Sequence, residues 1–142
     1  MKKHPLRLPA IAAASLVAVL LAGCTGGDRP GGLAGTSWQA VRLADGTQPE
    51  DPTRLTLAFG SDGRVAVRAD CNRGSGTWQS PAGQRLTFGP IATTKMGCPP
   101  GSLGDQFLAD LGRAGAYSLA SGQLEIATGN GMEPLVLRPA VP

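Results

Sequence analysis

Two cysteines, Cys71 and Cys98, bound the segment around which this chain is organised, and no other cysteine occurs after residue 24. The segment opens Asp70-Cys71-Asn72-Arg73-Gly74-Ser75-Gly76 and closes Gly89-Pro90-Ile91-Ala92-Thr93-Thr94-Lys95-Met96-Gly97-Cys98-Pro99. Two short β-like runs lie between these ends, and a helical pattern follows directly. A bond between the sulfurs would place the two loops side by side, because bridged Cα atoms sit about 5–6 Å apart. Whether the thiols bond depends on the compartment, and the N-terminus bears on that.

Lys2, Lys3, His4 and Arg7 make a positive start, and Ile11 to Leu21 is an unbroken run of 11 apolar and small residues. A membrane-spanning helix needs about 20. The pattern is that of a secretory signal peptide. It ends Leu21-Ala22-Gly23-Cys24, which resembles a bacterial lipobox, in which the cysteine is lipidated and becomes the first mature residue. The alternative is an ordinary secretory signal with an incidental cysteine. The lipoprotein reading gains from the flexible run Thr25-Gly26-Gly27-Asp28-Arg29-Pro30-Gly31-Gly32 that follows. The expected organisation is a signal peptide over 1–23, lipidated Cys24 with a tether to residue 32, and a domain over 33–142. Residue 25 is Thr rather than Asp, so in a Gram-negative host the expected destination is the outer membrane.

Removing the leader changes the electrostatics. Of 13 basic residues, Lys2, Lys3 and Arg7 go with it, leaving 10 against 10 acidic ones. The mature chain is formally neutral and has no basic patch interleaved with aromatics, so nucleic acid is not an expected partner. The only histidine, His4, is lost as well. That removes Cys-His and Ser-His catalysis within the chain. Two cysteines without an imidazole do not make a zinc site. No metal, cofactor or catalytic residue is expected.

The domain reads as short strands. Thr36 to Leu43 alternates from Trp38, and Asp45 to Pro52 is a polar, turn-rich loop. Leu55, Leu57 and Phe59 alternate with Thr56 and Ala58, and Val65, Val67 and Ala69 answer them across a Ser61-Asp62-Gly63-Arg64 turn. Gly76–Gln79, Arg85–Phe88 and Ile91–Thr94 follow, with a bend at Gly89-Pro90. One helix is predicted over Ser102–Arg113, capped by Ser102. Leu103, Phe107, Leu108 and Leu111 share its apolar face, and Asp105, Gln106, Asp110 and Arg113 lie elsewhere. Gly104 and Gly112 should weaken it by roughly 1 kcal/mol each. Ala116–Leu119, Gln123–Ile126 and Glu133–Leu137 complete the strands, joined by turns at Ser121-Gly122 and Thr128–Gly131. The pattern predicts an α+β fold, an antiparallel, partly open barrel-like sheet of about seven or eight strands with one helix packed on it. Trp38 and Trp78 read as core rather than as a ligand platform.

An exported protein meets an oxidising compartment, where paired cysteines bond. A Cys71–Cys98 bridge would stabilise the fold by roughly 3–4 kcal/mol through chain entropy. A redox-active pair or free thiols are the other states. Lipidation removes Cys24 from the competition.

The runs Cys71-Asn72-Arg73-Gly74-Ser75-Gly76 and Leu86-Thr87-Phe88-Gly89-Pro90-Ile91-Ala92-Thr93-Thr94-Lys95-Met96-Gly97-Cys98-Pro99 resemble the META domain, or HslJ-like, family. Leu33-Ala34-Gly35-Thr36-Ser37-Trp38 is similar to that family's first strand, and Phe107-Leu108-Ala109-Asp110-Leu111 to its helix. The resemblance implies an antiparallel sheet curled around a helix, in a small envelope protein of heat or drug stress, often a lipoprotein. It brings no catalytic residues.

Within the motif, Asn72 and Gly74 are expected to hold a turn of unusual backbone angles. Asn72, Arg73, Lys95 and Met96 form a candidate interaction surface. A strand leading into a covered loop explains the Thr93–Met96 run equally well. The first functional reading is a monomeric, non-enzymatic interaction module, anchored to the membrane by its lipid and meeting an envelope protein. The second is a carrier holding an apolar molecule or lipid between sheet and helix, bordered by Phe59, Phe88, Phe107 and Leu111. An enzyme using clustered carboxylates ranks third. The anchor has a direct check: globomycin treatment should leave the unprocessed precursor, whereas normal maturation to an unlipidated form would remove Cys24 from the account.

Overall fold

The computed structural model describes residues 32–141. The leader, Cys24 and most of the tether lie outside the described residues. Nine strands, one α-helix and a short 3-10 turn follow in order. They are β1 (Ser37–Arg42), the 3-10 turn (Pro52–Arg54), β2 (Leu55–Phe59), β3 (Arg64–Ala69), β4 (Asn72–Gln79), β5 (Thr87–Phe88), β6 (Ala92–Thr93), α1 (Gly104–Gly112), β7 (Ala116–Ala120), β8 (Gln123–Ala127) and β9 (Leu135–Pro139).

The sheet is antiparallel throughout, in the order β5-β4-β3-β2-β1-β9-β8-β7. The short β6 also lies along β4, opposite Gly74 and Ser75, while β5 lies opposite Trp78 and Gln79. The Gly89-Pro90 bend separates β5 from β6, so nine strands fill eight positions. The two ends of the sheet nearly meet. Arg85 bridges Ala116 of β7, the Tyr117 N–H donates to the Gln84 carbonyl (2.7 Å) and the Leu86 N–H to Gly115 (3.3 Å). The result is a nearly closed α+β barrel, as the strand pattern predicts. Closure satisfies backbone groups that an open edge would leave exposed.

The β2–β3 hairpin follows its alternation. Leu55, Leu57, Phe59, Val65, Val67 and Ala69 are all buried, and Gly63 takes the positive φ (80°) of the turn. Trp38 and Trp78 are core residues, 7% and 6% exposed. Phe59 packs edge-on against Trp78 (5.1 Å between centroids) and stacks with Phe88 (6.0 Å). Phe107 and Leu111 of α1 are fully buried against this cluster. Each such side chain contributes roughly 1.5–3 kcal/mol by leaving water. These aromatic and leucine side chains themselves occupy the space between sheet and helix.

Three expectations need correction. β4 starts at Asn72, directly after Cys71, so the run read as a loop is strand. Gly74 carries no turn: the positive φ belongs to Asp70 (62°), and Gly74 pairs with Val67 and Thr93. A Cβ on Gly74 would stand 2.6 Å from Thr93 Cγ2 and 3.0 Å from the Ala92 carbonyl oxygen. Close approach of β6 requires this glycine. The helix, finally, spans Gly104–Gly112 rather than Ser102–Arg113. Ser102 still accepts from the Gly104 N–H (3.3 Å), one residue ahead of the assigned cap Leu103.

Gly104 reverses its expected sign. At an exposed helix position alanine would gain roughly 1 kcal/mol over glycine. Here a Cβ would meet the Ala69 carbonyl oxygen at 2.5 Å, where the helix start abuts the end of β3. Gly104→Ala should therefore destabilise the protein by about 1–3 kcal/mol in urea unfolding, the cost of overpacking. A gain in stability would show that the helix does not abut β3.

Candidate functional site

Cys71 and Cys98 are joined, with Cα atoms 5.6 Å apart. The bridge pins the start of β4 to the chain that leaves β6. Asn72 braces the same junction. Its Oδ1 accepts from the Met96 N–H (2.7 Å) and the Thr94 hydroxyl (2.8 Å), and its Nδ2 donates to the Met96 carbonyl (3.2 Å). Between the two chains the Arg73 N–H donates to Thr94 Oγ1 (3.1 Å) and the Thr94 N–H to the Arg73 carbonyl (2.9 Å). An amide side chain can both give and take hydrogen bonds, which is what crossing two backbone edges requires.

The fold therefore brings the four candidate surface residues together in two roles. Asn72 is spent on the brace. Arg73, Lys95 and Met96 are exposed, Met96 at 62%, which is unusual for so large an apolar side chain. The side chains of Arg73 and Lys95 form no ion pair among the described residues.

Two acidic side chains that sequence reasoning did not single out are buried. Asp110, read as lying off the apolar face, is fully buried beside Leu111. Its Oδ2 accepts from the Ala44 N–H (2.9 Å) and its Oδ1 from Arg113. The helix is thereby tied to the end of β1. The signal was present in the spacing, because Asp110 is three residues beyond Phe107 and flanks the buried stripe.

Asp70 is the other, 7% exposed at the end of β3 with its backbone in the left-handed region. Its N–H donates to the Arg54 carbonyl (2.7 Å), its carbonyl accepts from Arg68 Nε (3.2 Å), and its carboxylate faces the Arg54 guanidinium as an ion pair. Asp70 and Arg54 form the floor of a cleft of about 460 Å³. The loop through Pro49 and Asp51 makes one wall, and Pro99 to Leu103 the other. At the rim Asp51 accepts from the Thr53 hydroxyl and the Thr53 N–H. Those bonds, the hydroxyl first, hold its carboxyl below the ordinary aspartate value. Among the described residues, no three His, Cys, Asp or Glu side chains converge as metal ligands.

The sequence profile of the META domain family matches residues 31–141, and the chain belongs to that family. A comparison with curated proteins finds no match. Among solved structures, the NMR structure of a protein from Burkholderia xenovorans is similar at a TM-score of 0.60 and 24% identity, covering 100% of both chains. A crystal structure of a DUF4847 family protein from Bacteroides vulgatus matches at 0.50 and 19%, over 74% of this chain and 92% of that one. These likenesses concern the fold. The META domain is not a known enzyme family.

The bridge's contribution can be measured. Cys71→Ser should lower stability by roughly 3–4 kcal/mol and the melting temperature by more than 10 °C. A variant as stable as the parent would mean that the Asn72 brace alone holds the junction.

Proposed function

We propose that this META domain is a non-enzymatic, lipid-anchored envelope module that captures a protein partner through the surface made by Arg73, at the start of β4, and by Lys95 and Met96, on the chain braced against it, during heat or drug stress. The observation that carries the reading is the exposure of Met96, which follows Lys95 on the chain fastened beside Arg73. A methionine is an adaptable apolar contact, and the two cations favour an acidic partner. Chains already held by a disulfide and by the three hydrogen bonds of Asn72 lose little entropy on docking.

The way the described chain enters β1 supports the same reading. Gly35 and Thr36 are bonded to Phe59, at one end of β2, whereas Leu55 at its other end pairs with Ala69, next to the bridge. The chain therefore comes from the pole opposite the braced chains. Eight residue steps from Cys24 to Gly32 span at most about 28 Å. A lipid on Cys24 would hold the domain close to the bilayer with Arg73, Lys95 and Met96 turned away from it.

Arg73→Glu combined with Lys95→Glu tests this surface. Each exposed change should alter stability by no more than about 0.5 kcal/mol, while crosslinking in envelope membranes should lose the acidic partner captured by the parent. Retention of the same crosslinked partners and of the stress phenotype would assign the surface to scaffolding alone.

A further inference from the structure

The sheet is nearly closed, and β6 is where it stays open. The β7 end is met by the backbone of Gln84 to Leu86. β6 has β4 on one side, and no other strand among the described residues pairs with it. The register tells where its free backbone groups lie. The Thr94 N–H donates to the Arg73 carbonyl (2.9 Å), so those two residues are a hydrogen-bonded pair. Bonded and non-bonded pairs alternate along an antiparallel ladder. The N–H and C=O of Thr93, and of Ile91 and Lys95 two residues away on either side, therefore point away from β4. Among the described residues the backbone groups of Ile91 and Lys95 meet no backbone partner. From Ile91 to Lys95 the edge is about 13 Å of extended chain.

This edge is held firmly for so short a strand. The disulfide and the Asn72 side chain fasten its far end. Two glycines let it lie close along β4. A Cβ on Gly74 would stand 2.6 Å from Thr93 Cγ2, and one on Gly76 would stand 2.8 Å from the Pro90 carbonyl oxygen. Ala92, Thr94 and Lys95 are exposed. An edge that is already extended and fixed loses little freedom when a further strand is laid on it.

Charge decides which strand that can be. Arg68 of β3 lies directly opposite Arg73 of β4, and neither β3, β4 nor β6 contains an acidic residue. The Arg68 guanidinium donates to the Asp70 and Thr53 carbonyls, whereas the Arg73 and Lys95 side chains form no ion pair among the described residues. Lysine beside an edge strand guards it against pairing with its own kind. A second copy of this chain would gather two Lys95 and two Arg73 side chains into one short interface, and like charges weaken a ladder. The guard acts through sign, so an extended segment with acidic side chains is attracted where a second copy is repelled.

We infer that β6 accepts an extended acidic segment of a partner protein as an added strand, with main-chain bonds to Ile91, Thr93 and Lys95 and acidic side chains drawn to Arg73 and Lys95. This rests on the reading of Arg73, Lys95 and Met96 as a capture surface and names the form in which the partner binds.

The test uses the full-length, lipidated protein in detergent micelles, labelled with 15N. The probe is acetyl-Glu-Val-Glu-Val-Glu-Val-amide, whose valines favour a strand. It should bind saturably in the millimolar range. At saturation it should slow hydrogen exchange at the Thr93 and Lys95 amides at least about ten-fold, leaving Thr94, already bonded, unchanged. Acetyl-Glu-Pro-Glu-Pro-Glu-Pro-amide carries the same charge but cannot form a ladder, and should bind at least about ten-fold more weakly. Thr93→Pro removes an N–H that β4 does not use, and should weaken the Glu-Val peptide about ten-fold. If that variant fails to fold, the comparison of the two peptides decides, because it leaves the protein unaltered. Equal binding of the two peptides, or Glu-Val binding that brings no protection at Thr93, would overturn strand addition while the capture surface stands. Absence of saturable binding would overturn it as well, whereas the capture surface falls only if Arg73→Glu with Lys95→Glu keeps its crosslinked partners. Protection of Thr93 that grows with the concentration of the protein alone would make a second copy the occupant and overturn the choice of an acidic partner.

Discussion

The covalent bond between Cys71 and Cys98 is the constraint on which the rest of this structure depends. It fixes the first residue of β4 against the chain leaving β6, so β6 is laid along β4 at the height of Gly74. It also fixes where the following chain begins, which places Pro99 to Leu103 beside Asp70 and sets the start of α1 against β3. A loop of 26 residues closed in this way has few conformations left to lose on folding. The short strands β5 and β6, two residues each, could not hold such a path by their own ladder bonds.

The barrel that results is polar in its organisation. One pole receives the chain at Leu33, a fully buried residue. The other carries the bridge, the helix start, the Arg54–Asp70 pair and the cleft. Chain ends at this second pole are tied by side chains as well as by ladders, with Asp110 holding Ala44 and Asn72 holding Met96. Ties of that kind place side chains on rigid elements, which is what a binding surface requires and what a filled apolar interior does not supply.

Belonging to the META family, which is not a known enzyme family, accounts for the architecture. The residues that distinguish the second pole are held by hydrogen bonds and ion pairs. Asn72 is one of them. Its position in the motif invites a functional role, but its amide is consumed by three bonds to Thr94 and Met96, leaving Arg73, Lys95 and Met96 to face outward. Nothing in the order Asn-Arg or Lys-Met distinguishes the brace from the surface. That distinction exists only once the two chains are side by side.

Much of the barrel was legible in the sequence, because alternation and turn chemistry are local. Leu55, Leu57 and Phe59 against Val65, Val67 and Ala69 announce a hairpin whose inward face follows from the two-residue period alone. The helix stripe at Phe107 and Leu111, the Gly89-Pro90 bend and the cysteine pair are of the same kind. The remainder depends on partners distant along the chain. Gly104 looks like a weak helix residue until the Ala69 carbonyl is found 2.5 Å from where its Cβ would be. Gly74 looks like a turn until β6 lies across it. Asp70 and Asp110 look like two of ten ordinary surface acids until Arg54 and the Ala44 N–H are brought to them. A side chain's polarity and spacing are written in its own neighbourhood, so the sequence by itself determined most of the strands, the helix and the pair of cysteines available to cross-link. Burial of charge and contact between backbones arise from segments 16 to 66 residues apart, and only the tertiary structure decided them.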